Sequence, residues 1–398
     1  MVNTIIIGGG IAGLTVAEQL AKRGETPVLL EKYPHFGGRI ATYRDKDLQY
    51  EIGAGRINTQ HERVNTLVKR FDLHTYPIST DSFFEHEPNP FQELFQPIRT
   101  VLSTVRTLGS TTIAEMIPDE FRSILTMYPY WAEMNLMRAD RALTEFLPDH
   151  NMGIKAKYYG IKEGLDTLTT KLASAAKDAG ADLRNSYRVQ DIRRIGETLF
   201  EITGDYGKKA DAKPFRIQAR RVIIATCRCS LSNFSVLKKL PLLTQLQTSS
   251  LIRIYAVYPK NADGKVWFHD LPKTVTASKL RHVIPINPTS GLIMISYTDG
   301  DDTKYWHTLE GTELQAAIQK EVKQLFPAKT IPEPTYLKKH DWPSGCTYWV
   351  PGDYDVETAS RDAHNPSNNL YVCGESVSTE QAWIEGALQS AETLMKLL

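Results

Sequence analysis

Three glycines spaced G-x-G-x-x-G, at Gly8, Gly10 and Gly13, follow directly on the apolar run Thr4–Ile7. Each has a physical role. Gly8 permits a tight strand-to-helix turn, Gly10 lets the backbone approach a pyrophosphate, and Gly13 lets the helix pack close to a sheet. Ile11 and Ala12 open that helix, whose N-terminal N–H groups can receive phosphate oxygens. Leu14–Ala21 carries good helix formers with apolar residues at helical spacing, Gly24 is placed to end it, and Pro27–Leu30 reads as a second buried strand. That strand leads into Glu31 and Lys32. A carboxylate at this distance can hold the hydroxyls of an adenosine ribose, and it repels a 2′-phosphate. The arrangement predicts a dinucleotide site for FAD or NAD and argues against NADP.

Further candidates lie along the chain. Phe36-Gly37-Gly38-Arg39 places a glycine pair beside a cation, either to wrap the far side of a diphosphate or as a plain surface turn. Glu51-Ile52-Gly53-Ala54-Gly55-Arg56 sets small residues and a cation after a short strand, as a flat ligand against backbone requires. Arg221–Thr226 reads as a buried strand ending in small residues, the way doubly wound sheets bring backbone to a cofactor. Asn369–Glu375 repeats the theme, a strand ending at Gly374 and Glu375. Cys227 and Cys229 are expected as buried or semi-buried thiols and not as a redox pair. No metal site is expected, since the ten His include no H-E-x-x-H and no zinc spacing.

The elements that must position these residues are those of a 398-residue chain, 41% hydrophobic and 23% charged, which excludes a disordered or fibrous protein. The formal charge of +1 supplies no field for nucleic acid, and no such partner is expected. Four Cys do not make a disulfide scaffold. With no basic leader before the first apolar run and no stretch of about 18 apolar residues, neither a signal peptide nor an integral membrane segment is expected. The expected location is cytoplasmic. Helices are expected over Gln60–Arg70, Glu163–Ala179, Glu313–Leu325 and Ile384–Met395, and a helical insertion over Phe95–Leu108, Ile113–Leu125 and Ala132–Phe146. Strands are expected over Val189–Ile195, Leu199–Ile202, Phe215–Ile217, Ile252–Tyr258 and Gly291–Tyr297, while His340–Gly352 reads as aromatic-rich and irregular. The fold class is α/β, two interleaved domains. Residues 1–74, 156–245 and 353–398 would form the dinucleotide domain. Residues 75–155 and 246–352 would form a mixed-sheet substrate domain with the helical insertion.

As a set in this order, these segments resemble the flavin amine oxidase family, which includes monoamine, polyamine and L-amino acid oxidases. The resemblance is carried by GGGIAG with Glu31, GGR at Gly37–Arg39, EIGAGRINTQHERV at Glu51–Val64, GIKEGLDTL at Gly160–Leu168 and RVIIAT at Arg221–Thr226. It continues through GLIMISYTDGDD at Gly291–Asp302, GCTYWVPG at Gly345–Gly352, LYVCGE at Leu370–Glu375 and AWIEGA at Ala382–Ala387. It is weakest across residues 75–155. It implies a Rossmann-like FAD domain of the GR2 type. Gly8, Gly10 and Gly13 would meet the pyrophosphate and Glu31 the ribose. Arg39 would hold ribose and phosphates, Val189 the adenine, and Glu375 the ribityl chain. Gly55, Arg56, Trp383, Ile384 and Ala387 would surround the flavin.

The resemblance also implies a reaction. A primary amine or L-amino acid would pass its α-hydrogen as hydride to flavin N5, giving an imine that water hydrolyses, while O₂ reoxidises the flavin to give H₂O₂. Trp383 matches one member of the family's aromatic pair, and Tyr348 or its neighbour Thr347 would supply the other. Trp383 and Arg56 lean toward the L-amino acid oxidases, where an Arg at the matched position clamps the substrate carboxylate; a structural Arg at the domain seam is the competing reading. Arg253 stands where many members carry a Lys that holds a water at the flavin, and Arg cannot shed a proton at neutral pH. Cys346 follows Gly345 as does the thiol attached to flavin in monoamine oxidases, although most members bind FAD noncovalently. A desaturase or isomerase of the same architecture, or a flavin-binding protein without turnover, are the alternatives. The partners would be a small amine or amino acid and O₂, with room for a homodimer.

Overall fold

The structure, a computed structural model, describes residues 1–79, 82–84, 108–119, 122, 130–143 and 157–398. The helix expected over Phe95–Leu108 lies almost entirely outside these residues. Of the insertion helices, the described parts include Ile113–Met116 and Trp131–Asn135.

The first strand, β1 (Val2–Ile7), runs straight into α1 (Ile11–Lys22), with Gly10 at its N-terminal boundary. β1 pairs in parallel with β2 (Val28–Leu30) on one side and with the strand Lys213–Ile224 on the other. These central strands are buried on both faces, which is why their sequences are continuous apolar runs without alternation. The seven-stranded sheet runs, in spatial order, Tyr187–Arg194, Phe200–Tyr206, Lys213–Ile224, β1, β2 and Asp182–Arg184, with Leu370–Val372 pairing on Lys213–Ile224. Lys213–Ile224 is one strand where the sequence suggests two. Its first half pairs antiparallel with Phe200–Tyr206, and its last residues pair in parallel with β1 and Leu370–Val372. Alternating Phe215 and Ile217 suit the half-exposed part, and the solid run Val222–Ile224 suits the buried part.

One face of this sheet carries α1 packed with α2 (Glu62–Arg70), the helix Asp166–Asp178 and the helix Ile384–Leu397 around Ile6, Leu14, Leu172 and Leu394. Segments nearly 400 residues apart thus share one core. Burying a Leu or Ile side chain fully contributes about 1.5–3 kcal/mol, so this layer fixes both ends of the chain against the sheet.

A second, six-stranded sheet orders Tyr336–Trp349, Leu246–Val257, Leu292–Asp299, His282–Asn287, Lys273–Val275 and Ser82–Phe84. The helix Gly311–Leu325 covers it through Leu314, Ile318 and Val322. The segment expected to be irregular, His340–Gly352, instead lies mostly within the strand Tyr336–Trp349. Its irregularity is a wide bulge. Leu251 pairs with Trp342 and Ser249 with Cys346, so Pro343, Ser344 and Gly345 stand opposite Ser250 alone. Pro343 cannot donate to the ladder, and the extra residues bend the strand there. No helix among the described residues is long and apolar enough to cross a membrane.

Candidate active site

A cavity of about 1250 Å³ is lined from both sheets. One end is built by the first turn of the chain. Gly8 (φ +109°) is seated so tightly that a Cβ would lie 2.5 Å from the Ala225 carbonyl oxygen, and a Cβ on Gly13 would lie 2.1 Å from the Gly8 oxygen. Gly13 therefore closes the helix onto the strand and, unlike Gly8, Gly10, Ile11 and Ala12, does not line the cavity; the expectation that it meets a pyrophosphate is corrected to that packing role. At Gly10 the side-chain position is open, with nothing within 4 Å. Glu31 and Lys32 line the same end. The Glu31 carboxylate accepts from the backbone N–H of Gly9 (2.7 Å) and Tyr33 (2.9 Å), so it also pins the glycine turn. Val189 lies at a bulge between Val189 and Asp191, and it faces the cavity with Arg188 and Gln190.

The middle is a seam between distant segments. Arg39 donates to the Glu375 carboxylate at 2.7 Å and to the Gly345 carbonyl at 3.0 Å, the latter inside the wide bulge. The second oxygen of Glu375 accepts from the N–H of Thr347 (2.8 Å) and Ala382 (3.1 Å). Gly38, Arg39, Thr226, Cys346, Gly374 and Glu375 all border the cavity here. Burial, with the Glu375 charge second, pushes the Cys346 thiol up to about 12. Cys227 and Cys229, expected as thiols, are joined in a disulfide beside this stretch. The short helix Arg228–Leu231 turns the chain so that their Cα atoms lie 5.5 Å apart.

The far end gathers Gly55, Arg56, Arg253, Tyr348, Trp383, Ile384 and Ala387, as the sequence suggests, with Tyr297 and Asp299 from the run Gly291–Asp302 and with Tyr130 and Glu133, to which no sequence motif assigns a role. The Arg56 guanidinium lies 4.2 Å over the Tyr158 ring and 5.7 Å from the Trp383 ring. Trp383 is set in turn by an edge contact with His61, at 4.9 Å between centroids. Arg253 lies over Tyr297 (5.2 Å) and donates to the Glu51 carbonyl at 3.1 Å. A Cβ on Gly55 would come within 2.9 Å of an Arg253 terminal nitrogen. Tyr348, fully enclosed, brings its hydroxyl to the Glu133 carboxylate at 3.5 Å. Its neighbour Thr347 points away, its hydroxyl 3.1 Å from that of Ser376, so of the two it is Tyr348 that faces the cavity. Behind this wall, burial lowers His340 to about 4 and raises the Glu51 carboxyl to about 7.

A family model described as flavin containing amine oxidoreductase matches residues 127–393, and one for an NAD(P)-binding Rossmann-like domain matches residues 6–71. The chain belongs to the flavin-containing amine oxidoreductase family. Its cofactor is FAD. Among relatives of this flavin amine oxidase, the L-amino-acid oxidase of Crotalus adamanteus is 23% identical over 457 residues, spanning 98% of this chain and 86% of its own. A flavin-containing amine oxidase of Danio rerio is 31% identical over 101 residues, 24% of this chain and 19% of that one. Among solved structures, the cyclohexylamine oxidase of Brevibacterium oxydans IH-35A aligns with a TM-score of 0.74 at 16% identity, covering 100% of this chain and 99% of the other. A putrescine oxidase bound to putrescine aligns at 0.73 and 16%, covering 99% and 98%. At that identity the structures speak to fold. The cavity suits the flavin dinucleotide on its own evidence. Gly10 leaves a cradle that a side chain would fill, and the Thr226 hydroxyl and Arg253 Nε are buried without a partner among the described residues. Buried polar atoms of this kind are ordinarily satisfied, so a ligand with complementary groups belongs beside them.

Proposed function

We propose that this flavin amine oxidase oxidises an L-amino acid at its α-carbon, with Arg56 holding the α-carboxylate. The observation that carries the reading is the setting of Arg56. Its guanidinium lies over Tyr158 and is flanked by Trp383, and it lines the same cavity as the dinucleotide elements. A planar guanidinium immobilised on aromatic faces is preorganised for bidentate contact with a carboxylate. The full-length similarity to the L-amino-acid oxidase of Crotalus adamanteus supports the same choice.

When bound, the flavin supplies the acceptor for the α-hydride, which leaves an imine for water to hydrolyse to keto acid and ammonia. The chain supplies orientation. Arg56 would fix the carboxylate, Trp383 and Tyr348 would confine the carbon skeleton, and the α-hydrogen would then be held toward the cofactor. Tyr130, Tyr297 and Tyr348 line the slot with aromatic faces, which pack on the substrate by shape and dispersion and limit water. Arg253 donates only. Pinned by the Glu51 carbonyl, it can hold a water or an anionic oxygen but cannot serve as a base. Reoxidation by O₂ would yield H₂O₂.

The test is anaerobic mixing with L-amino acids and with their decarboxylated amines, followed by the visible flavin band. Bleaching by the amino acid at least tenfold faster than by its amine is the expected result. Equal rates would refute the carboxylate clamp, and Arg56→Lys should narrow the gap.

A further inference from the structure

We infer that Glu133 is a specificity-determining residue that recognises a cationic group at the far end of the substrate side chain, so that the preferred amino acids are basic ones such as L-lysine or L-ornithine. This rests on the reading of Arg56 as the α-carboxylate clamp and deepens it.

Glu133 borders the cavity at its substrate end, together with Tyr130, Tyr297 and Tyr348. It stands on the short helix Trp131–Asn135, whose start is fixed from the other sheet. The two oxygens of Asp299 accept from the N–H of Trp131 (2.9 Å) and Ala132 (3.2 Å). Trp131 also packs so closely on Gly300 (φ +52°) that a Cβ there would lie 2.1 Å from the indole. Asp299 is thus a positioning residue. Its carboxylate is occupied by backbone donors, and burial raises it to about 7. Among the described residues, Glu133 is another carboxylate that lines the cavity here. One of its oxygens lies 3.5 Å from the Tyr348 hydroxyl, and its charge is felt at Cys346, so it projects beside the slot and not into bulk solvent.

Among the described residues, Tyr130, Tyr297 and Tyr348 line the cavity with it. A carboxylate among tyrosine rings is a poor neighbour for an aliphatic side-chain terminus, which would bury against it with no hydrogen bond to offer. An ammonium meets it with a charge-assisted bond and with ring faces that favour cations. The reacting nitrogen must be neutral to be oxidised, so the cation belongs on a second, remote nitrogen. Arg56 at one side and Glu133 at the other then read the two charges of a basic amino acid.

The discriminating pair is L-lysine and L-norleucine, equal in length and different in the terminal ammonium. The FAD-loaded enzyme is expected to show kcat/KM for L-lysine at least tenfold above that for L-norleucine. In Glu133→Gln that ratio should fall about tenfold or more, and Glu133→Asp should restore part of it. Anaerobic titration of the flavin spectrum reads binding independently of turnover and should give the same ordering of Kd. Equal kcat/KM and Kd for the two amino acids in the wild type, or an unchanged ratio in a Glu133→Gln protein that carries normal flavin, would overturn the inference. Failure of every amine to bleach the flavin would instead refute the oxidase reading, and the Kd ratio would still decide the role of Glu133.

Discussion

Glu375→Gln keeps the shape of the side chain at the seam and removes its charge. In the native chain one carboxylate oxygen meets Arg39, and the other accepts from the N–H groups of Thr347 and Ala382. A glutamine amide satisfies only half of this. With its oxygen toward the two N–H groups, its NH₂ faces the Arg39 guanidinium, donor against donor; turned round, it leaves two buried N–H groups facing a donor. Removing one partner of a buried ion pair costs about 3–5 kcal/mol. The Glu375 side chain is 5% exposed, but Arg39 is 29% exposed and keeps its bond to Gly345, which places the loss at the lower end, about 3 kcal/mol. For a chain of 398 residues, an unfolding entropy of about 2.1 cal/mol/K per residue comes to about 0.8 kcal/mol/K, so the melting temperature should drop by about 4 °C. Calorimetry without added FAD isolates this from cofactor linkage. The double replacement Arg39→Leu, Glu375→Leu should recover much of the loss, because taking out both charges leaves neither unpaired. A single variant that melts within 1 °C of the wild type, or a double variant no better than the single one, would refute the claim that this pair holds the seam.

Three further outcomes are expected. Gly55→Ala would drive the Arg253 guanidinium off the Glu51 carbonyl, and flavin reduction should slow about tenfold; adding Arg253→Lys should recover part of the rate, and if it does not, the fault lies elsewhere than the Arg253 contact. Glu51, raised from 4.5 to about 7 mainly by burial, holds its proton in the fold after the unfolded chain has released it. The fold therefore loses stability as pH rises from about 4.5 to 7, on the order of 2–3 kcal/mol, and Glu51→Gln should flatten that slope in melts taken from pH 5 to 8. His340, lowered to about 4, acts oppositely: it removes stability as pH falls from about 6.5 to 4, so the wild-type-minus-variant difference is the quantity to compare. Finally, the thiol of Cys346, pushed up to about 12, is protonated and a weak nucleophile at neutral pH; acid denaturation should release the flavin to the supernatant, and a yellow pellet would show covalent attachment.

The first thirty-nine residues were legible because their constraints are local. A strand, a turn that only glycine can make, a helix and an acid follow one another within a few turns of chain. Gly374 and Glu375 were legible for the same reason, at the other end. What sequence could not supply was the meeting of parts. His340–Gly352 reads as irregular, and only the pairing of Cys346 with Ser249 and of Trp342 with Leu251 shows Pro343-Ser344-Gly345 to be a bulge within a strand. Phe215–Ile217 and Arg221–Thr226 read as separate because exposure changes along a single strand that leaves one neighbour and gains another. The close helix packing expected of Gly13 was legible too; that the atom it admits is the Gly8 carbonyl was not. Glu133 carries no motif at all, and Asp299, though inside the run Gly291–Asp302, shows its role only through the bonds it accepts from Trp131 and Ala132 more than 160 residues away.

The pairing of Leu370–Val372 onto Lys213–Ile224, with the helix Ile384–Leu397 against α1, has a consequence for biosynthesis. The sheet that contains β1 cannot be completed until Leu370–Val372 has left the ribosome. At about 5–20 residues per second, roughly 20–70 s separate the synthesis of β1 from that of Leu370–Val372, and until the helix Ile384–Leu397 follows, α1 is covered only in part, by the helix Asp166–Asp178. The cavity, bordered by Gly374, Glu375 and Trp383, would then be completed late, and the stretch from Gly8 to Arg39 is where a chaperone or an early supply of FAD would matter most for yield.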